Sequence, residues 1–162
     1  MHLEKRLLEF IIVHDLLPTK RKWELTVSAV GSMYRNVFHL LGEEDRMKLT
    51  DMMREWGFEH SREVKERLGI SDDLHGCAVA LLSYHRLFGM KSQIIHETKD
   101  EVVINVSKCM WKDKKNWTPE ICASMEGLET GLVRGINDSI EHFYSKRRSL
   151  GHEFCEMHLR QG

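Results

Sequence analysis

The sequence predicts an α+β fold, in which a helical N-terminal half of about five helices packs on a four-stranded antiparallel sheet with one long connecting helix. Three observations carry this. Apolar residues keep steps of three and four as far as Phe88, the signature of amphipathic helices. Beyond Gly89 short runs rich in β-branched residues replace them, and between two pairs of such runs stands a single long helical stretch opened by Thr118-Pro119. Isolated two-stranded ribbons are marginal in water, so the two hairpins are expected to share one sheet covered by helices on one face. The 162 residues suit a single domain, with residues 1–89 as its helical half and 90–162 as a β-β-α-β-β half that carries three of the four cysteines.

A first helix is expected over residues 3–17, stopped by Pro18. Thr19 opens the next, in which Trp23, Val27, Val30, Tyr34, Val37 and Leu41 keep the helical step and Gly42 occupies the place of a left-handed C-cap. Glu43-Glu44-Asp45 puts negative charge at the positive end of a third helix, with Leu49, Met52, Met53 and Trp56 as its buried stripe and Gly57 as its end. A short helix over 60–68 closes at Gly69. Ser71-Asp72-Asp73 caps another that runs to Phe88, with Cys77, Ala78, Leu81 and Leu82 inward. Strands are predicted over 92–97 and 101–110, a helix from Pro119 to Ile136, and strands over 140–147 and 152–159.

Lys and Arg total 24 against 25 acidic residues, so no overall field favours nucleic acid or an anionic membrane. Charges at Glu4, Lys5, Arg6 and Glu9 interrupt any signal-like apolar core, and a cytoplasmic protein with reduced thiols is expected. Wide apolar helix faces over a small sheet point to a homodimer.

Chemistry concentrates between Cys109 and Cys155. Cys122 falls in the first turns of the long helix, where free N–H groups and the dipole favour a thiolate; the other reading is a small buried hydrophobe. Cys109 at the end of one strand and Cys155 in another can approach it. The three sulfurs then suit a soft metal such as zinc, with His152, His158 or Glu156 completing the set. His152 and Glu153, at a turn beside Cys155, supply the base and acid that thiol or water activation needs. Ten histidines make chance neighbours common, and His14 and His85 read as core or boundary residues. Gly127, Gly131 and Gly135 recur every four residues on one helix side, which suits either tight packing or a ligand lying against bare backbone at Gly127 and Gly131.

The stretch holding Cys109, Pro119-Glu120-Ile121-Cys122 and Ser149-Leu150-Gly151-His152-Glu153-Phe154-Cys155 resembles the C-terminal half of the L-2-amino-thiazoline-4-carboxylic acid hydrolase-like family. That family is similar in turn to vinyl-reductase-type hydrocarbon-binding domains. The resemblance implies a small-molecule-binding α+β fold and, by the family's named activity, hydrolytic opening of a thiazoline ring. His152 replaces the family's usual acidic residue after the final Gly, and Glu156 follows Cys155 in place of an acid-aromatic pair, departures that bear on the activity more than on the fold. Three functions follow. The preferred one is a binding or sensory domain with a cysteine-containing pocket for a small organic ligand; the others are a hydrolase of a small cyclic amide or thiazoline-type ring and a non-catalytic interaction module.

Overall fold

A computed structural model describes residues 18–111 and 116–162; the helix expected over residues 3–17 lies outside them. The elements are α1 (Thr19–Leu40), α2 (Glu43–Leu68), α3 (Leu74–Leu87), β1 (Lys91–Glu97), β2 (Glu101–Lys108), α4 (Pro119–Ile136), β3 (Ile140–Lys146), a 3-10 turn (Arg148–Leu150) and β4 (Cys155–Gln161). The expected α+β architecture is present. All strand pairs are antiparallel in the order β1-β2-β4-β3, so the second hairpin inserts its last strand beside the first hairpin and one four-stranded sheet results.

Register decides what faces the helices. Val102, Ile104 and Val106 of β2 lie opposite Leu159, Met157 and Cys155 of β4, and His142 and Tyr144 of β3 lie opposite Leu159 and Met157. With side chains alternating across a strand, all of these share the inner face. There they meet Cys77, Ala78 and Leu81 of α3 and Leu128, Leu132 and Val133 of α4, which together form the core. The intervening Glu156, His158 and Arg160 face outward, where His158 stacks on Phe143 at 5.0 Å and bonds Glu101.

Asp73 caps α3 by accepting from the Gly76 N–H at 2.8 Å, and Gly69 ends α2 in the left-handed region at φ 62°. Other boundaries differ from expectation. Glu43–Leu68 is one helix, because Gly57 packs against the backbone of α4 instead of ending α2: a side chain there would overlap the Leu128 carbonyl. Small Gly57 and Ser61 therefore form the buried face of α2, and Met52 and Trp56, expected inside, are exposed. Gly42 has φ −69° and precedes α2 as its N-cap, so no left-handed C-cap exists at that position. In α1, Val27, Gly31 and Phe38 are buried while Val30 and Val37 are exposed. The last strand starts at Cys155, since the 3-10 turn and Gly151 at φ 94° occupy the chain before it. Among the described residues no helix is long and apolar enough to cross a membrane.

Candidate functional site

The inner face of the sheet is not filled at its β2-end and β4-start. A cavity of about 80 Å³ remains there, walled by α3, α4 and the sheet and lined by Phe88, Trp111, Trp117 and Tyr144 together with Cys109, Cys122 and Cys155. The aromatic wall is continuous: Phe88 packs on Trp111 at 5.3 Å and Trp111 stacks on Trp117 at 5.4 Å. Trp111 is fixed from behind, donating its indole N–H to the Val27 carbonyl at 3.2 Å and packing where Gly31 has no side chain.

The three cysteines expected to converge do so: Cys109 just past the end of β2, Cys122 in the first turns of α4 and Cys155 at the start of β4. All are free thiols. The Trp117 indole donates to Cys122 Sγ at 3.0 Å, and the Arg148 N–H donates to Cys155 Sγ at 3.3 Å. Burial pushes the Cys122 thiol up, with the Trp117 bond opposing it in part, and pushes Cys155 up to about 11. The helix N-terminus was expected to make Cys122 acidic; desolvation outweighs it, and the thiol is held protonated. Among the described residues no group of three or more His, Cys, Asp or Glu side chains is placed to hold a metal ion. The sulfurs line one wall without forming a ligand set, and Glu156 and His158 belong to the opposite face of the sheet.

His152 and Glu153 do not reach the cavity, because β4 begins only after them. His152 turns Nδ1 to the Arg147 backbone, 3.0 Å from its carbonyl and 3.3 Å from its N–H, and is exposed, as is Glu153. Gly127 and Gly131 do not line it either. A side chain at Gly127 would come within 2.7 Å of the Thr50 carbonyl, and one at Gly131 would overlap the Arg54 carbonyl, so α2 already occupies the place proposed for a ligand. Of the two readings of these glycines, packing is the one the fold uses. Successive residues advance about 100° around a helix, so this glycine edge lies roughly opposite the edge of α4 that carries Cys122, Glu126 and Glu129.

That second edge carries groups the sequence reading passed over. Glu129 is buried and accepts from His85 Nε2 at 2.9 Å and from the Tyr144 hydroxyl at 2.7 Å, with His142 Nε2 at 3.9 Å. Burial alone would raise its pKa, but the His85 bond and charge, helped by His142 and Tyr144, bring it below the ordinary carboxylate value. Tyr144 is pushed well above its usual range by burial and by Glu129, and burial lowers His142. One turn earlier Glu126, raised by burial, takes a two-pronged bond from Arg147 at 2.6 and 2.7 Å. The spacing Cys122, Glu126, Glu129 was a signal in the sequence, though acids on an amphipathic helix ordinarily read as its wet side.

No family model matches the chain, and no curated protein matches it. Solved structures do. One is the phenol-responsive sensory domain of the transcription activator PoxR with phenol, at a TM-score of 0.59 and 17% identity over 83% of this chain and 74% of that one. Another is a trafficking protein particle complex subunit 3 from Naegleria fowleri covalently bound to palmitic acid, at 0.58 and 17% over 88% and 96%. The fold is shared.

Proposed function

We propose that this chain is a small-molecule-binding domain of sensory type, whose cavity takes a compact, largely apolar ring compound. The observation that carries the reading is the cavity itself: aromatic and thiol walls with a few converging polar groups, the usual make-up of a small-ligand site. A sensory domain holding phenol shares the fold and supports the reading. At about 80 Å³ the cavity is about half the roughly 150 Å³ that takes up benzene, so a single ring enters only with some outward movement of the walls and a long acyl chain is disfavoured further. The resemblance to the thiazoline hydrolase-like and hydrocarbon-binding group agrees with such a pocket. Its ring-opening chemistry is not favoured, because Cys122 is raised by burial and bonded to an indole rather than to a base.

Ligand-induced stabilisation tests this. At a ligand concentration one hundred times Kd the unfolding free energy rises by about 2.7 kcal/mol, and small aromatic rings such as phenol, aniline and toluene should raise Tm in a saturable way while free palmitate does not. A panel of such rings that leaves Tm unmoved at millimolar concentration contradicts the proposal.

A further inference from the structure

Two residues of the cavity wall, His85 and Ser149, each carry a buried polar atom without a hydrogen-bond partner, and His85 is the deeper-set of the two side chains. His85 is 1% exposed and lines the cavity; its Nε2 is committed to Glu129, and its Nδ1 is buried without a hydrogen-bond partner. A buried polar atom without a partner is costly, and a bound ligand can recover that cost by bonding it. Glu129 already takes His85 Nε2 and the Tyr144 hydroxyl, so neither group is left to satisfy Nδ1. The ligand must therefore bring a polar atom to that position.

Its charge is constrained as well. Glu126 and Glu129 both line the cavity, and Arg147, the one Lys or Arg among its described lining residues, is matched to Glu126 on both prongs. A carboxylate entering would face Glu129, so a neutral ligand is favoured. The aromatic walls favour a flat apolar body.

We propose that His85 makes this cavity selective for compact neutral rings bearing a hydrogen-bonding group, a ring hydroxyl or ring amine, over rings of the same shape bearing none. This rests on the small-molecule reading above and adds a chemical class to it. Phenol and toluene test it, because they differ by a hydroxyl against a methyl group of similar size. The full chain should bind phenol, and aniline with it, about tenfold or more tighter than toluene. His85→Gln keeps an amide donor for Glu129 but places no atom at Nδ1, and should bring phenol and toluene within about twofold of each other. His85→Asn, which keeps a polar amide atom near Nδ1, should retain part of the gap.

Equal affinity of the wild-type chain for phenol and toluene overturns the inference and leaves the binding reading intact, as does a gap that persists in His85→Gln. Binding of neither ring removes both. Should the variants fail to fold, the nitrogen resonances of His85 in the wild-type chain decide: Nδ1 should shift with phenol and not with toluene, and an unmoved Nδ1 overturns the inference.

Discussion

Gly131→Ala on α4 should destabilise the protein, although the same change on an open helix stabilises it. Alanine gains up to about 1 kcal/mol over glycine in a helix interior. At Gly131, however, the added methyl would overlap the Arg54 carbonyl and sit within 2.9 Å of the Phe58 nitrogen, both of them backbone atoms of α2 that no rotamer change can move. The helices would have to separate, and the neighbouring contacts at Gly57, Gly127 and Gly135 would loosen with them. Overpacking of this kind costs about 3 kcal/mol at the upper end of its usual range. Net of the propensity gain, about 2 kcal/mol should be lost, equivalent to roughly 4–8 °C in Tm for a chain of this size. Urea and thermal unfolding followed by far-UV circular dichroism measure it. Gly42→Ala is the control, since nothing lies within 4 Å of its added methyl and its φ is −69°. A Gly131→Ala protein as stable as wild type would refute the close-packed account of the α2–α4 contact.

Tyr144→Phe removes one of the two hydrogen bonds to buried Glu129 and should cost about 1–3 kcal/mol in urea unfolding; no loss would mean that Glu129 is not held as described. Because burial keeps His142 below its ordinary value of 6.5, the unfolded chain takes up a proton that the folded chain refuses, so stability should fall as pH drops through about 6.5. His142→Gln should flatten that slope, and an unchanged slope assigns it elsewhere. Iodoacetamide labelling of Cys155, read by mass spectrometry, should keep rising toward pH 11; a plateau near pH 9 would show an ordinary thiol. The exposed stripe of Val30, Met33, Val37 and Leu40 on α1 should carry a homodimer that Met33→Glu dissociates. Light scattering that finds wild-type monomer across micromolar concentrations would dispose of it.

How much was legible follows from which signals are local. The change of period at Gly89, the Asp73 cap, the Gly69 terminus and the Thr118-Pro119 opening act within a few residues, and the elements they predict are present. The meeting of Cys109, Cys122 and Cys155 was legible too, because strand ends and a helix start around one sheet have few places to go. Glycine was the ambiguous letter. The same residue that ends a helix when its φ is positive, as at Gly69, lets another helix touch its backbone when it is not, as at Gly57, and only the partner helix separates the two cases. The expectations for His152 and Glu153 failed on a boundary error of a few residues, enough to leave both in a turn. Glu129 was hidden because its three partners come from α3 and β3, far away in sequence.

The glycine contact and the cavity are two sides of one helix, and this links stability to specificity. The edge of α4 pressed against α2 is bare backbone, which leaves no side-chain freedom in the position of the helix. Ser124 adds a polar clamp, bonded to Tyr34 of α1 at 2.6 Å and to Thr50 of α2 at 2.9 Å. The opposite edge therefore presents Glu129 at a fixed distance from His85 on α3 and Tyr144 on β3. Had α4 been seated by long flexible side chains, that carboxylate would have had room to shift toward water or toward Arg147. The bond that ties His85 Nε2 to Glu129 would then have been one arrangement among several. Close helix packing thus does more than contribute to stability: it holds the Glu129, His85 and Tyr144 arrangement beside the cavity constant, and the selectivity proposed for His85 depends on that constancy.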